Sequence, residues 1–436
     1  MIQTAIYWFN NDLRIADNPA LQQAALHSQK LICVCWPEAP WTRSSLYPQA
    51  TPGAERQRFR EEALTDLSQR LSKLGQTLYV IRADLLGTLK SLIAEQRVDA
   101  LFRSVQAGEY ENRYWHNLGV SHPGLTLREF HTHTLFRPNE LPFDIEELPS
   151  TFSGFRKRVE KLNVAPPLGT VVSLPPAPKS VSLPLWPADV GADSPIAGGE
   201  SAAERHVRDY FADNRAHTYK ETRNALDDWN SSTKFSPWLA LGCVSAKTLV
   251  QHLRTYERTH GANDSSYWIY FELLWREYFQ WYAHKHRQHL YRFSGIGTRR
   301  PLTSFYPERF RKWCRGETPY PLVNACMKQL LATGYMSNRG RQIAASCLIH
   351  ELKCDWRYGA AFFEQHLLDY DVASNWGNWQ YIAGVGADPR GGRHFNIDKQ
   401  AQIWDPNGEF INRWAGAAPA QQLDSVDYHD WPISPK

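Results

Sequence analysis

No Cys-x-x-Cys pair, no G-x-G-x-x-G or G-x-x-x-x-G-K-[ST] loop and no apolar run long enough to cross a bilayer occur in this chain of 436 residues. Each absence removes a class of protein. The seven cysteines, an odd number, fit reduced core thiols and argue against a disulfide framework. With no paired thiols, no zinc or iron–sulfur centre is expected. Without a glycine-rich fingerprint after a strand, an ordinary dinucleotide or nucleoside triphosphate site is excluded. The missing apolar run removes a membrane-spanning protein. Met1 to Tyr7 enters a strand-like run at once, with no basic region, apolar stretch or cleavage site, so a cytoplasmic protein is expected. The net charge of +4 is too small to prove a nucleic-acid partner, and no internal repeat is visible.

What is present is more telling. A hydrophobic content of 42% supports sizeable cores, the length suggests two or more domains, and 17 tryptophans are an unusual number. Apolar runs at Ala5 to Phe9, Leu31 to Trp36, Leu78 to Ile81, Ala100 to Phe102 and Leu125 to Phe130 alternate with helical patterns. This predicts a parallel sheet covered on both faces, in an α/β domain over 1–135. The clearest helix spans Ala54 to Gly75, with Phe59, Ala63, Leu67, Leu71 and Leu74 on one face and Gly75 as its stop. An interdomain linker is expected over 136–200, proline-rich from 164. Helical patterns then dominate an all-α domain over 201–403, and 404–436 forms a short tail.

Chemistry-bearing residues gather in the helical part. Asp369 to Tyr381 packs carboxylates, amides and aromatic rings together, including Asp369, Asp371, Asn375, Trp379 and Tyr381. It suits a flat ligand with a polar edge, such as a flavin. The alternative is a Gly/Asn-rich connection whose aromatics plug the core. In Thr233-Lys234-Phe235-Ser236-Pro237, Ser236 reads as an N-cap and Pro237 as the first helical residue, an anion site suited to pyrophosphate or merely an ordinary capped helix. Glu272, Trp275 and Arg276 share a helical face, as do Asn338, Arg341 and Gln342. Glu272 and Arg276 could equally form a surface ion pair. From His284 to Arg315, Lys and Arg alternate with aromatics against a single acidic residue, Glu308, which suits single-stranded nucleic acid or a solvated basic face.

The chain resembles the photolyase/cryptochrome family, most closely its DASH-type members. The match runs nearly end to end through Trp8 to Arg14, Tyr219 to Asn224, Thr233 to Gly242, Phe271 to Glu277, Gly334 to Gln342 and Asp369 to Arg390. The resemblance implies an α/β N-terminal parallel-sheet antenna domain and an all-α C-terminal FAD-binding domain. Tyr219, Thr233, Lys234, Phe235 and Ser236 would hold the FAD phosphates and ribityl chain, with Arg276 in the same cavity. Arg341 and Asp369 would pair beside the flavin, Asp371 would accept from it or from its ribose, and Asn375 would face its N5. Glu272, Trp275, Asn338, Gln342 and Tyr381 would contact a cyclobutane pyrimidine dimer. Two departures fall in the N-terminal part: Asn10 stands where an arginine is usual, and Trp36-Pro37-Glu38 replaces Asp-Pro-Arg.

The resemblance carries two functions: light-driven repair of pyrimidine dimers, and blue-light sensing by the same flavin. The short tail favours repair. DNA, mainly single-stranded, is the expected partner, with RNA a further candidate, and the protein is expected to be a monomer. A folate antenna, 5,10-methenyltetrahydrofolate, would meet Glu109. Electrons would reach the flavin through Trp379 and Trp356. The third tryptophan usual in the family is replaced by Thr303, so Tyr306 or another aromatic would end the path.

Overall fold

The structure is a computed structural model and describes residues 2–36, 52–82, 84–186, 196–387, 391–420 and 423–424. Pro37, Glu38, Pro187, Pro195, Asp388 to Arg390 and, within the expected tail, 421–422 and 425–436 lie outside them. Strands β1 (Ile2–Phe9), β2 (Ser28–Cys35), β3 (Leu78–Val80), β4 (Ala100–Ser104) and β5 (Thr126–Phe130) form one parallel sheet in the order β3-β2-β1-β4-β5. Helices α1 (Pro19–His27), α2 (Ala54–Lys73), α3 (Leu85–Gln96) and α4 (Glu109–Ser121) connect them. All five strands fall on the expected runs.

The strand period of two decides what each face meets. Ala5, Tyr7 and Phe9 share a core with Phe59, Ala63, Leu67 and Leu71 of α2, and this core continues into the helical part. Ile6, Trp8, Ile32 and Val34 point the other way, against Leu85 and Leu89 of α3 and Trp115 and Leu118 of α4. Leu74 caps α2 and Gly75 follows in the left-handed conformation at φ 72°, as the sequence pattern requires.

Residues 136–186 do more than connect. They include α5 (Phe152–Val159), whose Phe152 and Phe155 are buried. The proline-rich part then runs along the sheet: Val80 N donates to Pro184 O at 2.7 Å and Trp186 N to Leu78 O at 3.1 Å. Proline lacks a donor but keeps its carbonyl, so it can serve an edge as acceptor.

The remainder is helical: α6 (Glu200–Phe211), α7 (Arg215–Thr222), α8 (Ser236–Ala240), α9 (Ala246–His260), α10 (Asp264–His286), α11 (Pro307–Arg315), α12 (Pro321–Thr333), α13 (Asn338–Ser346), α14 (Trp356–His366), α15 (Val372–Ala383), α16 (Ile397–Trp404) and α17 (Glu409–Arg413). Among the described residues no helix is long and apolar enough to cross a membrane. Helix α10 is central, packing against α5, α7, α9 and α15. Basic residues of the 284–315 segment are tied down: Lys285 Nζ donates to Glu146 O at 2.6 Å, Arg309 pairs with Asp424 at 2.7 Å, and Lys312 Nζ donates to Leu423 O at 2.7 Å.

Polar side chains fasten the helical part to the sheet. Arg14 donates to Gly242 O at 2.8 Å and Thr132 O at 2.9 Å. Gly242 has φ 66°, and a Cβ there would lie 1.9 Å from Asn11 O, so only glycine fits this close approach. Glu200 accepts from Ile15 N and Ala16 N, both at 2.9 Å. Glu277 of α10 accepts from Leu135 N at 2.7 Å, Phe136 N at 3.3 Å and the Trp281 indole at 2.7 Å. Burial pushes both carboxyls up to about 7.

Candidate active site

One cavity of about 490 Å³ opens in the helical part, within the usual range for a small-molecule or cofactor site. Four pieces of chain build it. Helix α10 turns Glu272, Trp275 and Arg276 into it, α13 contributes Asn338, Arg341 and Gln342, and α15 with its approach adds Asp369, Asp371, Asn375, Trp379 and Tyr381. The stretch Ser232 to Ser236 and Tyr219 of α7 complete the wall. The i, i+3, i+4 spacings on α10 and α13 thus become two faces of one space.

Two expected site residues lie elsewhere. Trp356 begins α14 outside the lining and is fully buried, its indole donating to Phe293 O at 3.0 Å. Glu109 begins α4, where Gln288 Nε2 donates to its carboxylate at 3.2 Å, so it sits against the segment that follows α10.

The N-cap expected at Ser236 is not formed. Phe235 caps α8 with φ −72° and ψ −18°, already near helical values, so Ser236 is the first helical residue and Pro237 the second. The turn before it is responsible: Lys234 adopts φ 52°, which swings the chain into the helix one residue early. Since α8 has only five residues, its dipole adds little, and the polar character here comes from the loop. Lys234 is buried, donates to Asp228 O at 3.1 Å and lies 4.8 Å over the Tyr335 ring. His206 donates to Thr233 O at 2.8 Å.

The charges in the cavity are held in pairs. Arg341 meets Asp369 at 2.9 Å, and the other Asp369 oxygen, Oδ1, is buried with no hydrogen-bond partner among the described residues. Arg223 pairs with Glu272, so Glu272 and Arg276 do not form the surface pair that their spacing allows. Burial pushes the Glu272 carboxyl up, and Arg223 opposes the shift. Arg276 donates to His133 O at 2.5 Å, and burial lowers its pKa. Asp371 caps α15 by accepting from Ser374 N at 2.7 Å and takes a second bond from Gln280 Nε2 at 2.8 Å. Asn375 donates one amide N–H to Ala360 O at 3.0 Å, which leaves its side-chain oxygen and second N–H to meet a ligand.

Aromatic rings pack on one another around Trp275, Tyr381 and Trp379. Phe152 stacks on Trp275 with centroids 3.8 Å apart and planes 14° from parallel, and Tyr381 meets Trp275 edge-on at 5.8 Å. Arg393 lies 5.0 Å over the Tyr381 ring and donates to its hydroxyl at 2.5 Å. Trp379 is buried between Phe363 at 5.1 Å and Trp313 at 6.2 Å.

Sequence reasoning therefore missed Arg223, which lines the cavity, and Phe152 and Arg393, which brace the lining residues Trp275 and Tyr381. Phe152 fell in an expected linker, and pairs such as Arg223 with Glu272 join positions far apart in the chain. Only the Tyr219 to Arg223 run carried a signal.

Comparison with known proteins agrees with this geometry. Residues 5–178 match the DNA photolyase family, and residues 268–431 match the FAD binding domain of DNA photolyase. A cryptochrome DASH from Idiomarina loihiensis is 52% identical over 431 residues, covering 98% of this chain and 96% of the relative. One from Vibrio parahaemolyticus is 50% identical over 431 residues, covering 98% and 97%. The crystal structure of a Synechocystis cryptochrome superposes with a TM-score of 0.88 at 35% identity, covering 94% of this chain and 88% of that one. The chain belongs to the photolyase/cryptochrome family. Its relatives within that family are the DASH cryptochromes, and it is a light-related flavoprotein with FAD as cofactor. The residues present fit that group: the cavity lining joins cationic and hydroxyl groups with amide and carboxylate acceptors. The unpartnered Asp369 oxygen awaits a donor there.

Proposed function

We propose that this protein is a light-driven lyase that splits cyclobutane pyrimidine dimers, acting preferentially in single-stranded DNA. One observation carries the reading. Glu272, Trp275, Asn338, Gln342 and Tyr381 stand in the same cavity as Tyr219, Thr233 to Ser236, Arg276, Arg341, Asp369, Asp371 and Asn375, so substrate and cofactor would share one enclosed space. When bound, reduced FAD supplies, under light, the electron that opens the cyclobutane ring.

The chain's own residues do the rest. Tyr219, Lys234 and the hydroxyls of the 232–236 stretch would hold the phosphates and ribityl chain, and the Arg341–Asp369 pair, Asp371 and Asn375 the polar edge of the ring. Burial favours the proton-bearing form of Glu272 while Arg223 opposes it, and the proton-bearing form would donate a hydrogen bond to a base carbonyl where negative charge develops, which favours the reacting state over the resting one. Trp275, braced by Phe152, offers a ring for base stacking. Trp379 and Trp356 are the proposed electron route when the flavin must first be reduced.

A folate antenna near Glu109 is proposed as the second cofactor. Its carboxylate lies between α4 and the segment after α10, away from the cavity, where a light-collecting group would not compete with substrate. Copurifying near-ultraviolet absorbance, lost in Glu109→Ala, is the expected sign. The reading takes the protein as a cytoplasmic monomer, which light scattering would check.

The deciding experiment irradiates the purified, flavin-containing protein with dimer-bearing oligonucleotides, single-stranded and duplex, beside a dark control. Thymines should be restored in light, faster in single strands. No restoration in either would overturn repair and leave light sensing as the function of the site.

A further inference from the structure

Next to the cavity stands a cluster that the repair reading does not use. Trp376 of α15 places its ring 5.8 Å from Trp356, at 77°. Its indole N–H points at two oxygens at once, Glu364 Oε2 at 3.2 Å and the Tyr370 hydroxyl at 3.3 Å. One donor shared between two acceptors brings them side by side, and Glu364 is hydrogen-bonded to Tyr370 as well. Tyr370 also lines the cavity, and Arg56 of α2 lies 4.6 Å over its ring. A phenol beside a tryptophan that can lose an electron, with a carboxylate at its hydroxyl, is the arrangement needed to move an electron and a proton together.

The structure assigns Tyr370 and Glu364 to a proton-coupled redox site that takes over an electron vacancy from Trp356 by way of Trp376. This rests on the FAD reading, in which light-excited oxidised FAD is the oxidant that withdraws an electron from the tryptophans. The balance closes within the cluster. Tyr370 gives one electron to the oxidised indole and its phenolic proton to the Glu364 carboxylate. The products are a neutral indole, a neutral tyrosyl radical and a carboxylic acid. Arg56 favours this coupled route, because a cation over the ring opposes a tyrosyl cation but not a neutral radical, and the same cation supports Glu364 in its ionised form. The sequence offers a reason for such a site: Thr303 stands where the family's terminal tryptophan would be.

The groups facing Glu364 set its proton affinity. Burial pushes it up to about 7, Arg56 pulls it down, hydrogen bonds from Tyr370 and Trp376 also lower it, and Glu111 of α4 raises it. Tyr291, edge-on to Trp376 at 4.9 Å, faces it too. Only ionised Glu364 can accept the proton, so the transfer should speed up as pH rises through about 7.

Two measurements test this. In the dark, infrared spectra of the full-length protein should show a carboxyl band that vanishes in Glu364→Gln and shifts in Tyr370→Phe, whether or not flavin is bound. An unshifted band would overturn the pairing. With flavin bound, as its absorbance shows beforehand, a light flash should yield a tyrosyl radical as the tryptophan radical decays, more slowly in D2O and at acid pH. Tyr370→Phe and Glu364→Gln, each compared with wild type at matched flavin occupancy, should lose the tyrosyl signal and prolong the tryptophan radical. A tyrosyl signal that survives in Tyr370→Phe would overturn the assignment and return the role to Tyr306 or another ring, without touching the FAD reading. Failure of the protein to take up FAD would sink that reading instead, and the infrared shift would still decide whether the Tyr370 and Glu364 pair exists.

Discussion

Two carboxylates on one helix, Glu277 and Glu272, show how α10 serves two ends. Glu277 faces the seam with the sheet, where three N–H donors from Leu135, Phe136 and Trp281 converge on it. Glu272 faces the cavity, paired among the described residues with Arg223 and hydrogen-bonded by Trp268, and lines the open space. Both are raised by burial. The difference lies in how much hydrogen-bonding capacity each has left. A carboxylate saturated by its own chain is structural, while one left partly free beside an open space is available to a ligand.

Breaking the saturated one should have the largest effect. Glu277→Ala leaves three buried donors without an acceptor, at about 1 to 3 kcal/mol each before relaxation. An overall loss of about 3 to 5 kcal/mol is expected, read by denaturant unfolding. Glu277→Gln should lose less, and its comparison with wild type should depend on pH. Because Glu277 is raised to about 7, the folded protein binds its proton more tightly than the unfolded chain does. Its contribution to stability is therefore full below the ordinary carboxylate range and declines as pH rises towards 7. Glutamine has no such decline, so the gap between the two proteins should narrow over that window. A gap independent of pH would show that Glu277 is ionised throughout.

On the cavity side, Arg341→Ala tests whether partly satisfied charges exist for the cofactor. It removes the only ion-pair partner seen for Asp369 among the described residues and leaves that carboxylate unpaired. Since Arg341 is only partly buried, a loss of about 2 kcal/mol is expected, or FAD held about thirtyfold more weakly. Flavin retained on dialysis is the readout. Unchanged retention together with a lower melting temperature would make this pair structural, like Glu277.

The contrast also explains how far the sequence could be read. The sheet was legible because Ala5 to Phe9 and Leu31 to Trp36 carry a local period, and the cavity faces of α10 and α13 were legible because three or four residues of spacing fix a side of a helix. What closes the site was not. Phe152 on Trp275, Arg223 on Glu272 and Arg393 on Tyr381 are contacts between positions that no local period links. Ser236 misled for a related reason: a hydroxyl before proline predicts a cap, but the left-handed turn at Lys234 had already started the helix.

Glu272→Gln should cost less than the Arg341 change. Glutamine keeps the shape and a donor but cannot be held as an acid, so dimer repair should fall by about tenfold while FAD binding stays the same. If FAD is lost along with repair, Glu272 belongs to the cofactor's framework and the contrast with Glu277 weakens.

The smallest expected effect concerns Gln342 and Tyr381, which bear on the choice between single strands and duplex. Extracting a dimer from a duplex costs a few kcal/mol of unpairing and unstacking, which the pocket must return. In a single strand there is little stacking to break, so a weaker pocket suffices. Among the proposed substrate contacts Trp275 is the one indole, and Tyr381 is a smaller ring whose hydroxyl is already engaged by Arg393. Replacing Gln342→Met and Tyr381→Trp together adds apolar surface and a larger ring, worth roughly 0.5 to 1.5 kcal/mol. The gain is partly offset, because an indole cannot accept the Arg393 bond. Duplex repair should therefore rise only about two- to fivefold, with single-strand repair nearly unchanged. The check is repair under matched light on both substrates, for wild type and the double variant. Equal wild-type rates on single strands and duplex would reject the preference itself. A double variant with no gain on duplex would place the limit elsewhere, in how the surface around Arg393 meets a second strand.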